Sequence, residues 1–269
     1  MTSEKSTLYS SLVDSLEHRR PVCLVLLLAP AGDTATRLLL APDGAVAGEL
    51  PAAPLGPWLQ EGARQALAGR RAISLVAPPG VAAGVEAYFE PYPPRPGLLI
   101  LGGGHIGKAV YDLTAGLGLF DLCIADDRPA YSDPRRFPAA RTVCCDFAEV
   151  FQQVPVDRDG FVLIVTRGHR ADRLCLSHAL RTPARYIGMI GSRRKVALTY
   201  RHLRESGFGP ADFARVHAPV GLALAACGAS EIAVSILAEL LAVKNGVDPS
   251  RVGSMSASRR VAGEQDAKG

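Results

Sequence analysis

Leu98-Leu99-Ile100-Leu101-Gly102-Gly103-Gly104-His105-Ile106-Gly107 is the stretch that decides the fold. Four apolar residues make a short buried strand. The glycines that follow fit G-x-G-x-x-G, in which the first permits a tight turn, the second lets backbone approach a pyrophosphate, and the third lets a helix pack close to a strand. Ile106, Val110, Leu113 and Leu117 then fall on one face, so the spacing predicts a helix over His105–Leu117. A second apolar strand, Leu122–Ala125, leads to Asp126, nineteen residues after Gly107. Folds of this kind place there a carboxylate that accepts hydrogen bonds from a ribose. The helix start offers free N–H groups and a positive dipole end to a phosphate. Gly102, Gly104, His105, Gly107 and Asp126 are therefore candidate ligand contacts, with Arg128 as an alternative partner for a phosphate.

Downstream, strands and helices alternate. Thr142–Cys145, Phe161–Val165 and Tyr186–Ile190 read as strands; His169–Leu180, Arg193–Ser206 and the densely apolar Glu231–Lys244 read as helices, the last largely buried. Such alternation implies a parallel sheet covered on both faces. Ligands of open parallel sheets sit at the carboxyl ends of the strands. Thr166-Arg167-Gly168-His169 and Gly191-Ser192-Arg193-Arg194-Lys195 each follow a strand and should face the same crevice as the glycine turn. Arg167 and His169 are candidates in the first loop. In the second, Ser192 is a helix N-cap, and Arg193, Arg194 and Lys195 oppose the acidic preference of a helix start. An anionic ligand would resolve that conflict; a solvated basic turn is the alternative. His217, read in a loop before the last helix, is either a further contact or a buried, merely hydrogen-bonded ring. No catalytic group and no metal-ligand set stands out.

Residues 1–90 read as a smaller α+β domain. Its elements are a helix at Leu8–Leu16, strands at Val22–Leu28 and Thr36–Leu40, a turn at Ala41-Pro42-Asp43-Gly44, Pro- and Gly-rich sequence from Gly48 to Pro57, a helix at Trp58–Leu67, and strands at Ile73–Val76 and Val85–Glu90. Residues 91–97 carry four prolines in seven positions and mark a linker. Residues 98–246 form the Rossmann-like domain, and residues 247–269 a polar tail. The expected fold class is α/β: a Rossmann-like parallel-sheet domain preceded by a smaller α+β domain.

Composition narrows the function. A net charge of +4 spread over 269 residues suits a small anionic ligand and argues against nucleic acid. Six cysteines without a C-x-x-C pair offer neither a zinc ribbon nor a dithiol motif, and fit a reducing cytoplasm. Cys144 and Cys145, adjacent in a strand, should point to opposite faces and read as structural. Arg19-Arg20, the apolar run Val22–Leu28 and Ala29-Pro30-Ala31 imitate a secretory signal, but Glu4, Asp14 and Glu17 in a helical register argue against one. No apolar run approaches a membrane span. A homodimer is the default expectation.

Taken together, Leu99–Gly107, Ala125–Pro129, Val165–His169, Tyr186–Lys195, Val216–Leu222 and Glu231–Lys244 resemble the XdhC/CoxI family. Gly188-Met189-Ile190-Gly191-Ser192-Arg193-Arg194-Lys195 is the most specific piece. The resemblance implies an accessory protein of bacterial molybdenum hydroxylases of the xanthine dehydrogenase type. Such a protein would bind the molybdenum cofactor, as molybdopterin or its dinucleotide, protect it during sulfuration and deliver it to the apoenzyme, with a cysteine desulfurase as a second partner and no turnover of its own. Two departures stand out. The family's glycine-rich turn ending in a cysteine corresponds here to Gly44–Ala53, which has no cysteine, and Ala225-Ala226-Cys227-Gly228 replaces a more acidic segment. The residues alone also allow an NAD(P)-dependent oxidoreductase, with His169 as acid/base, or a nucleotide-sensing scaffold protein.

Overall fold

The structure is a computed structural model and describes residues 2–28 and 36–253. Ala29-Pro30-Ala31 and the tail beyond residue 253 lie outside the described residues. The chain divides into two compact units, Met1–Arg95 and Pro96–Gly269.

The first unit contains α1 (Thr2–Glu17), β1 (Val22–Leu28), β2 (Thr36–Ala41), β3 (Gly44–Ala47), α2 (Leu55–Gly69), β4 (Ile73–Val76), the single turn α3 (Pro79–Ala82) and β5 (Glu86–Tyr92). Its strands form an antiparallel sheet in the order β3-β2-β1-β5-β4. Both faces are covered, which is why β1 reads as an unbroken apolar run. Cys23 and Val25 face α2 through Leu59, Ala63 and Ala66. Val22 and Leu24 face α1 through Leu8 and Leu12. At Gly62 a Cβ would lie 2.4 Å from the Phe89 ring, so this helix–sheet contact depends on the missing side chain. The turn at Pro42-Asp43 closes a hairpin whose second strand, β3, has no counterpart among the strands expected from the sequence. The expected linker is shorter than its prolines suggest. Pro91 and Tyr92 still belong to β5, because β4 has ended opposite Phe89 and leaves that side unpaired.

The second unit contains β6 (Gly97–Leu101), α4 (His105–Leu117), β7 (Asp121–Asp126), β8 (Arg141–Cys144), α5 (Val150–Gln153), β9 (Phe161–Ile164), α6 (His169–Ala179), β10 (Tyr186–Met189), α7 (Arg193–Glu205), α8 (Pro210–Phe213), β11 (Val216–His217) and α9 (Gly228–Lys244). All six strands are parallel, in the order β8-β7-β6-β9-β10-β11. Counted within the unit this is 3-2-1-4-5-6, the doubly wound arrangement whose order reverses between β6 and β9. Alternation along β6 serves two layers. Leu98 and Ile100 pack with Val110, Ile236 and Leu240 of α4 and α9. Leu99 and Leu101 pack with Cys175, Leu176, Val196 and Leu203 of α6 and α7. The α9 helix is only half buried: Ala233, Ile236 and Leu240 face inward, while Val234 stays 49% exposed. Cys144 ends β8 exposed and Cys145 lies past it, half-buried. The strand β11 stands where a loop is expected, since two residues are too few to show a period.

Candidate functional site

The switch between β6 and β9 brings two loops together. Gly102 has φ +111°, and its N–H donates to the Ala125 carbonyl at 2.8 Å. A Cβ on Gly102 would sit 2.6 Å from the Val165 carbonyl oxygen, so the β6–α4 turn lies directly on the β9–α6 loop. At Gly107 a Cβ would come within 1.9 Å of the Gly102 oxygen, and at Gly103 within 1.8 Å of the Tyr131 oxygen. These three glycines are required by the protein's own packing. Gly104 is different: a Cβ there would meet nothing within 4 Å, and its φ of −69° suits any residue. Its bareness leaves open space at the start of α4, where no side chain caps the first-turn N–H groups. This is the place a phosphate would take. His105 stands exposed beside it.

Asp126 does not present the open acceptor expected of a ribose ligand. It is fully buried. One oxygen accepts from the Gly103 N–H at 2.9 Å and the Arg128 guanidinium at 2.9 Å; the other accepts from the Arg128 N–H at 3.0 Å and Nε at 2.8 Å. Burial pushes its carboxyl upward, but the bonds from Arg128 and Gly103 outweigh this and hold it below the ordinary value. Arg128 in turn stacks 3.6 Å over the Tyr131 ring. Asp126 and Arg128 thus brace the glycine turn, and both Asp126 oxygens are occupied by these bonds.

The two other loops deliver most of their candidates to the carboxyl edge. Arg167 and His169 are exposed at the start of α6, and Ser192, Arg193 and Arg194 at the start of α7. Ser192 caps α7 by accepting from the Lys195 N–H at 3.3 Å. Among the described residues Arg167, Arg193 and Arg194 have no ion pair, and all three stand exposed where the chain leaves β9 and β10. Lys195 departs from the expectation. Its stem crosses Gly191, and its ammonium pairs with Asp172, whose other oxygen accepts from the Thr166 hydroxyl at 2.6 Å. The carboxylate of Asp172 is wholly buried and holds Lys195 inside the protein. No signal in the sequence matches Asp172 to Lys195, since their meeting depends on how α6 and α7 lie together.

His217 is also turned inward. It belongs to β11, its ring stacks on Tyr186 with centroids 4.6 Å apart, and its Nδ1 lies 3.7 Å from the Glu239 carboxylate. That carboxylate accepts from the Tyr186 hydroxyl and, at 3.2 Å, from the Gly221 N–H. Burial, followed by the Glu239 charge, drives the Tyr186 hydroxyl well above its usual pKa. Glu239 is absent from the candidates that the sequence suggests. The available signal is a lone carboxylate inside the apolar run Ile236–Val243.

Among the described residues no cluster of three or more His, Cys, Asp or Glu could hold a metal ion, and no helix is long and apolar enough to cross a membrane. In the first unit the Gly44–Ala53 stretch supplies a β-hairpin strand and carries no thiol. Cys23 does not replace it, because burial and the nearby Glu90 push its thiol up to about 12.

A parallel sheet in the order 3-2-1-4-5-6, with a glycine turn at its switch point, defines a Rossmann-type domain. Residues 98–240 match the XdhC Rossmann domain, more than half of the chain, and the chain belongs to that family. It is 39% identical over 153 residues to the uncharacterized protein YqeB of Escherichia coli (strain K12), covering 56% of this chain and 28% of that one. It is 29% identical over 184 residues to a probable xanthine dehydrogenase subunit of Bacillus subtilis (strain 168), covering 66% of this chain and 52% of that one. The chain thus spans about a quarter to a half of these curated relatives. A crystal structure described as a xanthine dehydrogenase from Bacillus halodurans shares the fold, with a TM-score of 0.66 at 23% identity over 89% of this chain and 64% of that one.

Proposed function

We propose that this protein is an accessory factor of a molybdenum hydroxylase of the xanthine dehydrogenase type, and that it holds a phosphate-bearing pterin in the crevice for delivery to the apoenzyme. Family membership supports the accessory role, as does the name of the Bacillus subtilis relative. The observation that carries ligand binding is the empty space at Gly104, a glycine that nothing in the protein's packing or backbone demands. Molybdopterin or its dinucleotide form would place its phosphate there, against the first turn of α4 and within the field of Arg167, Arg193 and Arg194. When bound, the group supplies the molybdenum chemistry; the chain's own residues bind and orient it. With no thiol in Gly44–Ala53 and that of Cys23 buried, holding falls on the second unit. A cytoplasmic location, a desulfurase as second partner, a homodimeric state and a lack of turnover complete the reading.

Calorimetric titration of the full chain with molybdopterin, NAD and NADP tests it, alongside Gly104→Val. The expected result is pterin binding at about micromolar Kd, lost in Gly104→Val without a change in melting temperature. Equal affinity in the variant would remove the crevice from the account. Tight NAD(P) binding with hydride transfer to a small carbonyl, and no pterin affinity, would replace the accessory role by an oxidoreductase. Asp126 speaks against that outcome, since both its oxygens are occupied.

A further inference from the structure

Behind the loop that carries Arg167, α6 and α7 lie side by side on the same face of the sheet and leave a groove between them that runs back from the helix start. Arg170 and Arg173 stand on α6 one turn apart, His202 faces them from α7, and Leu174 and Leu203 form the floor; the space enclosed is roughly 460 Å³. A smaller continuation of roughly 220 Å³ runs over Leu198 to His169 at the helix start. Both arginines are exposed, and among the described residues neither has an ion pair. Glu205, at the far end, is the one acid among the lining residues.

We propose that this groove is a docking surface for an acidic segment of a protein partner, one in which carboxylates alternate with aliphatic or aromatic side chains. Three features select that occupant. The walls are cationic and unpaired, so they complement carboxylates, which guanidinium forks bind bidentately. The floor is aliphatic, so an anion without an apolar neighbour leaves it uncovered. The groove is open along one side; small-molecule sites bury about 70–90% of their ligand, whereas a peptide can keep one edge in water. From His169 to Ser177 the helix rises about 12 Å, the span of about four extended residues. The inference is independent of what the crevice holds.

The test is selection of a random twelve-residue phage-displayed library on the full chain, with counter-selection on R170E/R173E. Arg170 and Arg173 are exposed, and equal melting temperatures check that the variant folds. The expected outcome is enrichment of peptides in which Glu or Asp alternates with Leu, Ile or Phe. A fluorescein-labelled enriched peptide should then bind the wild type at least about tenfold more tightly than R170E/R173E, and R170Q/R173Q should fall between them. Affinity should drop as salt rises. Enriched peptides without acidic bias, or equal affinity for both proteins, would overturn the proposal. So would full displacement by millimolar pyrophosphate, which would make the groove a small-anion site. Loss of pterin binding in Gly104→Val with peptide binding intact would confirm that the two surfaces are separate.

Discussion

Replacing Asp126 by Asn separates a structural clamp from a ribose ligand. The carboxylate accepts four hydrogen bonds, two on each oxygen, from Gly103 and Arg128. Asn keeps the shape but turns one oxygen into a donor, so two of the four bonds are lost and one buried donor faces another. A hydrogen bond to a charged group contributes about 1.5–3 kcal/mol, and breaking a buried pair costs about 3–5 kcal/mol. Because the Arg128 side chain is 25% exposed, the lower end applies, about 3 kcal/mol. For a unit of this size that is a drop of about 6–12 °C in melting temperature, readable by circular dichroism. In the double-mutant cycle with Arg128→Met, the two losses should fall short of additive, since both remove the same contacts. The folded carboxyl lies below its ordinary value of 3.8. Its stabilisation is therefore complete above pH 3.8 and is lost as pH falls through the folded pKa, and the gap between wild type and Asp126→Asn should close in that acid range. A melting temperature within about 2 °C of wild type at neutral pH, with weakened dinucleotide binding, would refute the clamp and restore the ribose role.

The cations of α7 should divide by position. Arg193→Ala with Arg194→Ala should leave stability unchanged and flatten the salt dependence of anion binding in calorimetry; an unaltered salt slope would remove them from the site. Lys195→Ala should instead cost about 3 kcal/mol by stranding the Asp172 carboxylate, and a urea midpoint equal to wild type would contradict the pairing. The thiols should sort by burial: Cys144 and Cys227, exposed, should alkylate first with iodoacetamide under mildly alkaline conditions, as read by intact mass. Burial raises Cys23 to about 12 and Cys123 to about 11, and raises Cys175 as well, so these should follow only on unfolding. Rapid labelling of Cys23 would reopen the first unit as a source of thiolate.

The glycine turn is legible in the sequence because its glycines fall at a set spacing directly after a strand, although Gly102 and Gly103 answer to Val165 and Tyr131 far along the chain. Gly102, Gly103 and Gly107 answer to backbone within a few ångströms, and α4 shows its apolar face in the spacing of Val110 and its neighbours. The parallel sheet follows from the alternation of strands with helices. Asp126 stands at the expected position with a different partner: nothing in the sequence tells a carboxylate bound to its own Gly103 and Arg128 from one waiting for a ligand. Lys195 groups with Arg193 and Arg194 on sequence because adjacency in a basic run hides direction. On a helix successive residues point about 100° apart, and only Lys195 meets Asp172. His217 escapes a local reading for a related reason, since the stacking partner Tyr186 and the carboxylate of Glu239 lie 31 and 22 residues away.

The bond between Asp172 and Lys195 also has a mechanical meaning. It ties α6 to α7 just where both leave the edge of the sheet, and Thr166 anchors the tie to the end of β9. The starts of α6 and α7 are thereby fastened to one another through largely buried side chains. The loops that carry Arg167 and Arg193 therefore hold their spacing through a bond that neither of them makes.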